Sequence, residues 1–184
     1  MMMTQGMALF DTPIGPCGIA WGADGVIGLN LPGRDAAETR AALARAFPDT
    51  VETEPTPAVA DAIHAIVGLL EGADDDLTGI RLDPGHIPPF NQRVYDVTRR
   101  IPPGETMTYG EVAAAIGEPG AARAVGHALG ENPYPIIIPC HRVLAAGGKM
   151  GGFSGSGGIA TKRRILAIES RAKLDALPLF GSAR

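Results

Sequence analysis

Residues 108–130 read TYGEVAAAIGEPGAARAVGHALG, two short stretches of helical spacing parted by the turn Gly117-Glu118-Pro119-Gly120. The first runs from Thr108 to Ile116. Thr108 can cap it, and Glu111, three residues on, completes a capping box. The second runs from Ala121 to Gly130, so the order is helix, tight turn, helix, as in a DNA-binding helix-turn-helix. On a wheel of about 100° per residue, Ala121, Ala124, Val125, Ala128 and Leu129 fall on one side, which is expected to face the core. Arg123, Gly126, His127 and Gly130 lie opposite, one long cation among residues with little side chain, where a nucleic-acid backbone can come close. The alternative is that these small residues serve helix packing alone. Tyr109, in the first turn of the first helix, either fills a core edge or offers its hydroxyl to a phosphate.

Outward from this pair, Phe90 to Arg100 reads as a helix stopped by Ile101-Pro102-Pro103-Gly104, and Gly147 to Gly158 as a loop or wing. A last helix is expected from about Ala160 to Lys173. Upstream, Asp74-Asp75-Asp76 and the Pro- and Gly-rich Asp83–Pro89 interrupt all periodicity, which places a subdomain boundary near residue 87. The amino-terminal part opens with Cys17–Trp21 and Gly25–Leu31, apolar runs about the turn signal Asp24-Gly25 that predict a β-hairpin. Helical spacing follows over Asp35–Phe47 and Pro57–Leu70. The expected architecture is α/β (α+β): residues 1–86 a sheet-bearing subdomain, and 87–184 a helical winged helix-turn-helix.

The charge supports that division. The chain of 184 residues carries a formal net charge of −4. Residues 1–86 hold 4 Lys/Arg against 13 Asp/Glu, and residues 87–184 hold 12 against 7. Only the second part suits a polyanion. At 45% hydrophobic and 20% charged, with no apolar run near the roughly 18 residues that span a bilayer, a membrane protein is not expected. The start, Met1–Met7, has no basic region or apolar stretch of a secretory signal, so a cytoplasmic location is expected. Cys17 and Cys140 sit in dissimilar surroundings and suggest neither a disulfide framework nor a metal site.

Pro139-Cys140-His141-Arg142-Val143 carries the chemistry. Tyr134–Pro139 is a β-branched run between prolines, predicted to be a rigid extended segment that presents Cys140. A cysteine attacks as thiolate, and at a reference pKa of about 8.5 it needs a base or a cation close by. Neighbouring side chains on a strand point to opposite faces, so His141 can serve Cys140 only where the backbone turns, and such a turn is predicted. In the last helix Ile165, Leu166 and Ile168 form an apolar arc that includes Glu169. A carboxylate facing a core needs a donor, and a Glu169, His141, Cys140 relay would supply one. The other possibility is that Glu169 closes the helix at the surface.

Residues 132–143, Asn132 to Val143, closely resemble the active-site motif of the O6-alkylguanine-DNA alkyltransferases, also called methylated-DNA–protein-cysteine methyltransferases. The resemblance extends from Phe90 to Glu169 and includes Tyr109–Ala113 and Ala122–Gly126. It implies an RNase H-like β-sheet subdomain in residues 1–86. It also implies that Cys140 accepts the alkyl group, His141 acts as its base through a water, Glu169 orients His141 and Asn132 braces the turn. Arg123 would enter the duplex in place of a flipped nucleotide, with Ala122 and Gly126 beside it on the DNA-facing helix, and Tyr109 would rotate the target phosphate. Tyr109 and Phe153 would line the base pocket, as would Val143 and Ser154 through backbone groups.

The partner implied is double-stranded DNA containing O6-alkylguanine, with O4-alkylthymine a further candidate. Transfer would be irreversible, once per molecule, by a monomer that needs no cofactor and no metal. Flipping is required because the O6 substituent of a stacked base is out of reach. This chain departs from the family in several places. Phe153 replaces a tyrosine found in some members, the loop Phe153–Gly158 is two residues longer than the common form, and His127 and Glu131 stand where small or basic residues are usual. Zinc-bearing members use a Cys and His cluster in the amino-terminal half; only Cys17, His64 and His86 are available here, so no zinc is expected. Two other functions fit parts of the pattern. A non-catalytic protein that binds and flags alkylated bases shares the fold but lacks the acceptor cysteine, and a cysteine hydrolase would turn over.

Overall fold

The computed structural model describes residues 5–176; Met1–Thr4, which begin the stretch read as lacking a secretory signal, and the terminal residues 177–184 lie outside it. Three strands open the chain: β1 (Gln5–Thr12), β2 (Gly15–Gly22) and β3 (Gly25–Asn30). Both turns are tight, and Gly25 has φ 141°, a conformation that L side chains rarely adopt. β1 and β2 pair antiparallel with Phe10 opposite Cys17, and β2 and β3 pair antiparallel with a register shift between Ala20 and Trp21. After helix α1 (Ala36–Ala46), β4 (Thr50–Glu52) joins β1 in parallel, so the sheet order is β3-β2-β1-β4. The hairpin β2–β3 agrees with the expectation from sequence. β1 and β4 were not foreseen.

Side chains alternate across β2. Ala20 packs with Met7 and Leu43 of α1 on one face, where Phe47 lies so close over Gly28 that a Cβ there would collide with its ring. Cys17, Ile19 and Trp21 point the other way, into the main core. Asp35 caps α1 by accepting from the Glu38 amide, as Thr56 caps α2 (Pro57–Leu70) through the Val59 amide. Val59, Ala62, Ile66, Leu69 and Leu70 of α2 are buried, each contributing about 1.5–3 kcal/mol relative to exposure for the larger aliphatics.

The second part begins with α3 (Pro89–Arg99), continues through β5 (Met107–Thr108), α4 (Tyr109–Ala115) and α5 (Ala122–Gly130), and ends with β6 (Val143–Leu144) and α6 (Gly158–Ala176). The capping box of α4 is present in both directions, Thr108 on Glu111 and Glu111 on Thr108. β5 and β6 pair in parallel, Met107 with Val143. One apolar cluster runs from the sheet through α2, α3, α4 and α5 to Ile165 of α6. The mixed sheet and the carboxy-terminal helical region with its helix-turn-helix form the α+β architecture expected. Among the described residues, no helix is long and apolar enough to cross a membrane.

Three expectations need correction. Tyr134–Pro139 is not extended: it is a compact loop with only an isolated bridge between Pro135 and Ile138. Ala124 is exposed on α5, because the buried arc is narrower than the wheel suggested and is made by Val125, Ala128 and Leu129. α6 starts two residues before Ala160 and extends past Lys173.

Candidate active site

The loop before Cys140 is built by Asn132. Its Oδ1 accepts from the Tyr134 amide at 2.9 Å and its Nδ2 donates to the Ile138 carbonyl at 2.9 Å, so one side chain clasps both ends of the turn. Between them the Ile138 amide donates to the Tyr134 carbonyl at 2.8 Å, and Ile136 takes φ 74°. A β-branched residue in the left-handed region costs on the order of 1–3 kcal/mol and persists where its surroundings over-determine it. Here they do: Ile136, Ile137 and Ile138 are all buried. The loop is also tied to the sheet, since the Leu29 amide of β3 donates to the Pro133 carbonyl at 2.9 Å.

Immediately beyond, Cys140–Arg142 forms one turn of 3-10 helix, with the Arg142 amide donating to the Pro139 carbonyl at 2.8 Å. The predicted backbone turn at Cys140–His141 is therefore present. It sends consecutive side chains different ways. Cys140, 9% exposed, opens onto a cleft, whereas His141 and Arg142, each 1% exposed, turn into the interior.

There they meet Glu169 of α6. His141 Nε2 lies 2.8 Å from Glu169 Oε1, Arg142 Nη2 donates to the same oxygen at 2.7 Å, and Arg142 Nε donates to Oε2 at 3.0 Å. Arg142 Nη1 donates to the Ile101 carbonyl at 2.6 Å. Glu169 thus closes no helix at the surface. Burial alone would raise the pKa of its carboxyl, but the hydrogen bonds and charges of His141 and Arg142 outweigh that and hold it down at about 2. For His141 burial lowers the pKa and outweighs the opposing pull of Glu169, so the ring is neutral near pH 7. An ionised carboxylate only accepts, so Nε2 carries the ring proton and Nδ1 is left as the acceptor. No direct hydrogen bond joins Cys140 to His141 among the described residues. Arg142, two positions from the cysteine, was not foreseen as the partner of Glu169.

Cys140 forms part of the wall of a cleft of about 850 Å³ between α4, α5 and the loop after β6. Tyr109, Ala122, Arg123, Gly126, Phe153 and Ser154 all line it. Tyr109 donates through its hydroxyl to the Gly152 carbonyl at 3.3 Å, and Ser154 Oγ donates to the Gly130 carbonyl at 2.9 Å, so the wing on either side of Phe153 is pinned to both helices of the pair. Arg123 is exposed at the mouth. Asn132, His141 and Glu169 stand behind the wall. The side chain of Val143 is fully buried beside the cleft, and its backbone carbonyl, the group expected to meet the base, accepts from Lys162 Nζ at 2.7 Å. Lys162, on the buried face of α6, is a feature the sequence reading missed.

Burial raises the Cys140 pKa, while the Asn132 side chain and the charge of Lys162 pull it down; the net direction is up. The resting sulfur is a thiol. Alkylation of the folded protein at Cys140 by iodoacetamide is therefore expected to be slow at neutral pH and to rise about tenfold per pH unit, with a midpoint above the ordinary thiol value of about 8.5. Mass spectrometry of the modified peptide across pH gives that midpoint, and a value below the ordinary one would refute the assignment.

Similarity to known proteins agrees with this arrangement. Residues 89–171 match the family model described as 6-O-methylguanine DNA methyltransferase, DNA binding domain. A methylated-DNA–protein-cysteine methyltransferase of Methanothermobacter thermautotrophicus is 35% identical over 157 residues, 85% of this chain and 81% of that one. A protein of the same description from Mycobacterium bovis is 56% identical over 92 residues, 50% of this chain and 54%, about half, of the relative's length. Among solved structures, OGT of Mycobacterium tuberculosis in complex with DNA superposes with a TM-score of 0.69 at 34% identity, covering 91% of this chain and 94% of that one.

Proposed function

The chain belongs to the methylated-DNA–protein-cysteine methyltransferase family, and on that premise we propose that it repairs DNA directly, moving the alkyl group of O6-alkylguanine irreversibly onto Cys140. The observation that carries this reading is the position of Cys140. It opens onto a cleft walled by the second helix of a helix-turn-helix, with a His–Glu pair directly behind it.

The reaction balances with this chain's own groups. His141 Nδ1 takes the thiol proton through a water, Glu169, itself held by Arg142, steadies the imidazolium that forms, and the thiolate sulfur attacks the alkyl carbon in line with the bond to O6. The C–O6 bond breaks, its electron pair passes to the guanine, and the proton held on His141 returns to the base. A neutral guanine and a thioether on Cys140 remain. No oxidant, metal or cofactor enters that balance, and a thioether is not hydrolysed, so each molecule acts once. Asn132 is a positioning residue here: it fixes the loop that places the sulfur.

Flipping brings the base to the cleft at a cost of a few kcal/mol. Arg123 fills the vacated stack, Ala122 and Gly126 let α5 lie close to the minor groove, Tyr109 turns the target phosphate, and Phe153 and Ser154 flank the base. Residues 87–184, with their basic excess, meet the duplex, and residues 1–86 serve as scaffold. Binding rests on phosphate contacts and weakens with salt. A cytoplasmic monomer fits this chemistry.

Incubation with a duplex containing O6-methylguanine, followed by intact-mass measurement, should show a gain of one methyl group that Cys140→Ala abolishes. Tight binding with unchanged mass would instead favour the flagging protein, and repeated turnover the hydrolase.

A further inference from the structure

Four charged or titratable side chains are almost wholly buried behind the cleft: His141, Arg142, Glu169 and Lys162. The first three balance, because Arg142 and Glu169 form a bidentate ion pair and His141 is neutral beside it. Lys162 has no such partner. Among the described residues no carboxylate pairs with it, and its ammonium is held instead by the carbonyls of Val143 at 2.7 Å and Met150 at 2.8 Å. Its Nζ also lies 5.9 Å from the ring centroid of Tyr109 and 6.0 Å from that of Phe153. A buried cation without an anion is costly, and carbonyl dipoles and ring faces offset only part of that cost.

These contacts also say where the charge acts. Val143 is three residues after Cys140, and Tyr109 and Phe153 line the cleft that Cys140 lines. The first anion the proposed chemistry creates there is the Cys140 sulfur. We propose that Lys162 is the standing counter-cation of Cys140, a positioning residue that stabilises the thiolate and then the negative charge passing to the departing guanine. Its two carbonyl contacts meanwhile hold β6 and the wing at a fixed spacing. The guanine part rests on the transfer reading above; the thiolate part holds for any electrophile.

Each group shifts the other. Burial lowers the pKa of Lys162 and Cys140 raises it, just as Lys162 lowers that of Cys140. The other titratable groups influenced by or beside the sulfur are Tyr95 and Tyr109, phenols kept neutral by burial, and His141. Arg142 is already committed to Glu169, which leaves Lys162 as the uncompensated charge.

The test is the pH profile of Cys140 alkylation by iodoacetamide in Lys162→Met, whose side chain keeps the length and loses the charge. Near neutral pH the variant should react at least about tenfold more slowly, and the two curves should converge in alkali, where both thiols are ionised. An equal slowing at every pH would reduce Lys162 to a strut and overturn the proposal. A second measurement needs no variant. The Lys162 titration, followed by NMR in the unaltered protein, should move to lower pH once Cys140 carries a carbamidomethyl group; an unmoved titration overturns the proposal whether or not the Met variant folds. Iodoacetamide requires no DNA, so these outcomes are independent of the methyl-transfer assay. Loss of methyl transfer alongside the expected Lys162 shift would refute the repair reading alone.

Discussion

Glu169→Gln will lower the melting temperature at neutral pH by on the order of 10 °C and slow alkyl transfer in the protein that remains folded. Breaking a buried ion pair on one side costs about 3–5 kcal/mol, because the abandoned charge stays inside. For a chain of this size each kcal/mol moves the midpoint by about 2–4 °C. Glutamine keeps the shape of glutamate, but it cannot satisfy the two guanidinium hydrogen bonds and the His141 contact that the carboxylate accepts now.

The dependence on acid has a definite sign. The folded carboxyl titrates at about 2 against an ordinary value of 4.5. Its stabilisation is thus complete above the ordinary value and is lost as pH falls from there towards 2. Calorimetry of the two proteins should show a gap that is wide at neutral pH and narrows through that window. A gap that stays constant into acid, or none at neutral pH, would mean that Glu169 is not the anion of this cluster. The kinetic effect has a different origin: without an ionised acceptor at Nε2, the tautomer that leaves Nδ1 free is no longer enforced.

The parts of the site that could be read from sequence are those set by local rules. The capping box at Thr108 and Glu111, the turn at Gly117–Gly120 and the arc that placed Glu169 among Ile165, Leu166 and Ile168 depend on residues a few positions apart. Lys162 lies seven residues before Glu169, on the same face of α6, yet it escaped notice because a lysine on an apolar arc ordinarily reaches out to water. Here two carbonyls from a different element, β6 and the wing, hold it in. Arg142 escaped for a similar reason, since its partner is 27 residues away and only the 3-10 turn aims it there.

Tyr134–Pro139 was misread through intrinsic preference. Isoleucines between prolines favour extended backbone, but the paired hydrogen bonds of Asn132 and the burial of all three isoleucines make a left-handed Ile136 the better compromise. β1 was missed because Gly6 and Met7 gave no alternating pattern, and β4 because three residues carry too little signal. Family resemblance supplied candidate roles for Arg123 and Tyr109 that wheel positions left open.

Arg123→Ala should slow repair of O6-methylguanine in duplex DNA by roughly 30- to 150-fold while leaving reaction with free O6-benzylguanine nearly unchanged. The fold-change converts about 2–3 kcal/mol of flipping cost that the side chain offsets. Arg123 sits exposed on α5 at the mouth of the cleft, between Ala122 and Ala124 and one turn from Gly126 and His127. Nothing else long enough to enter the stack stands on that face except His127, which is exposed and engaged 3.7 Å from Glu131. Truncating Arg123 leaves the bonds of Cys140, His141 and Glu169 in place, since among the described residues none of them shares a hydrogen bond or ion pair with it. A free base needs no extrusion and should not sense the change. Rates measured side by side for duplex and free base therefore separate the step that exposes the base from the step that transfers the alkyl group. Equal slowing of both would place Arg123 in the base pocket instead of the duplex, and no slowing of either would leave α5 without its intercalating side chain.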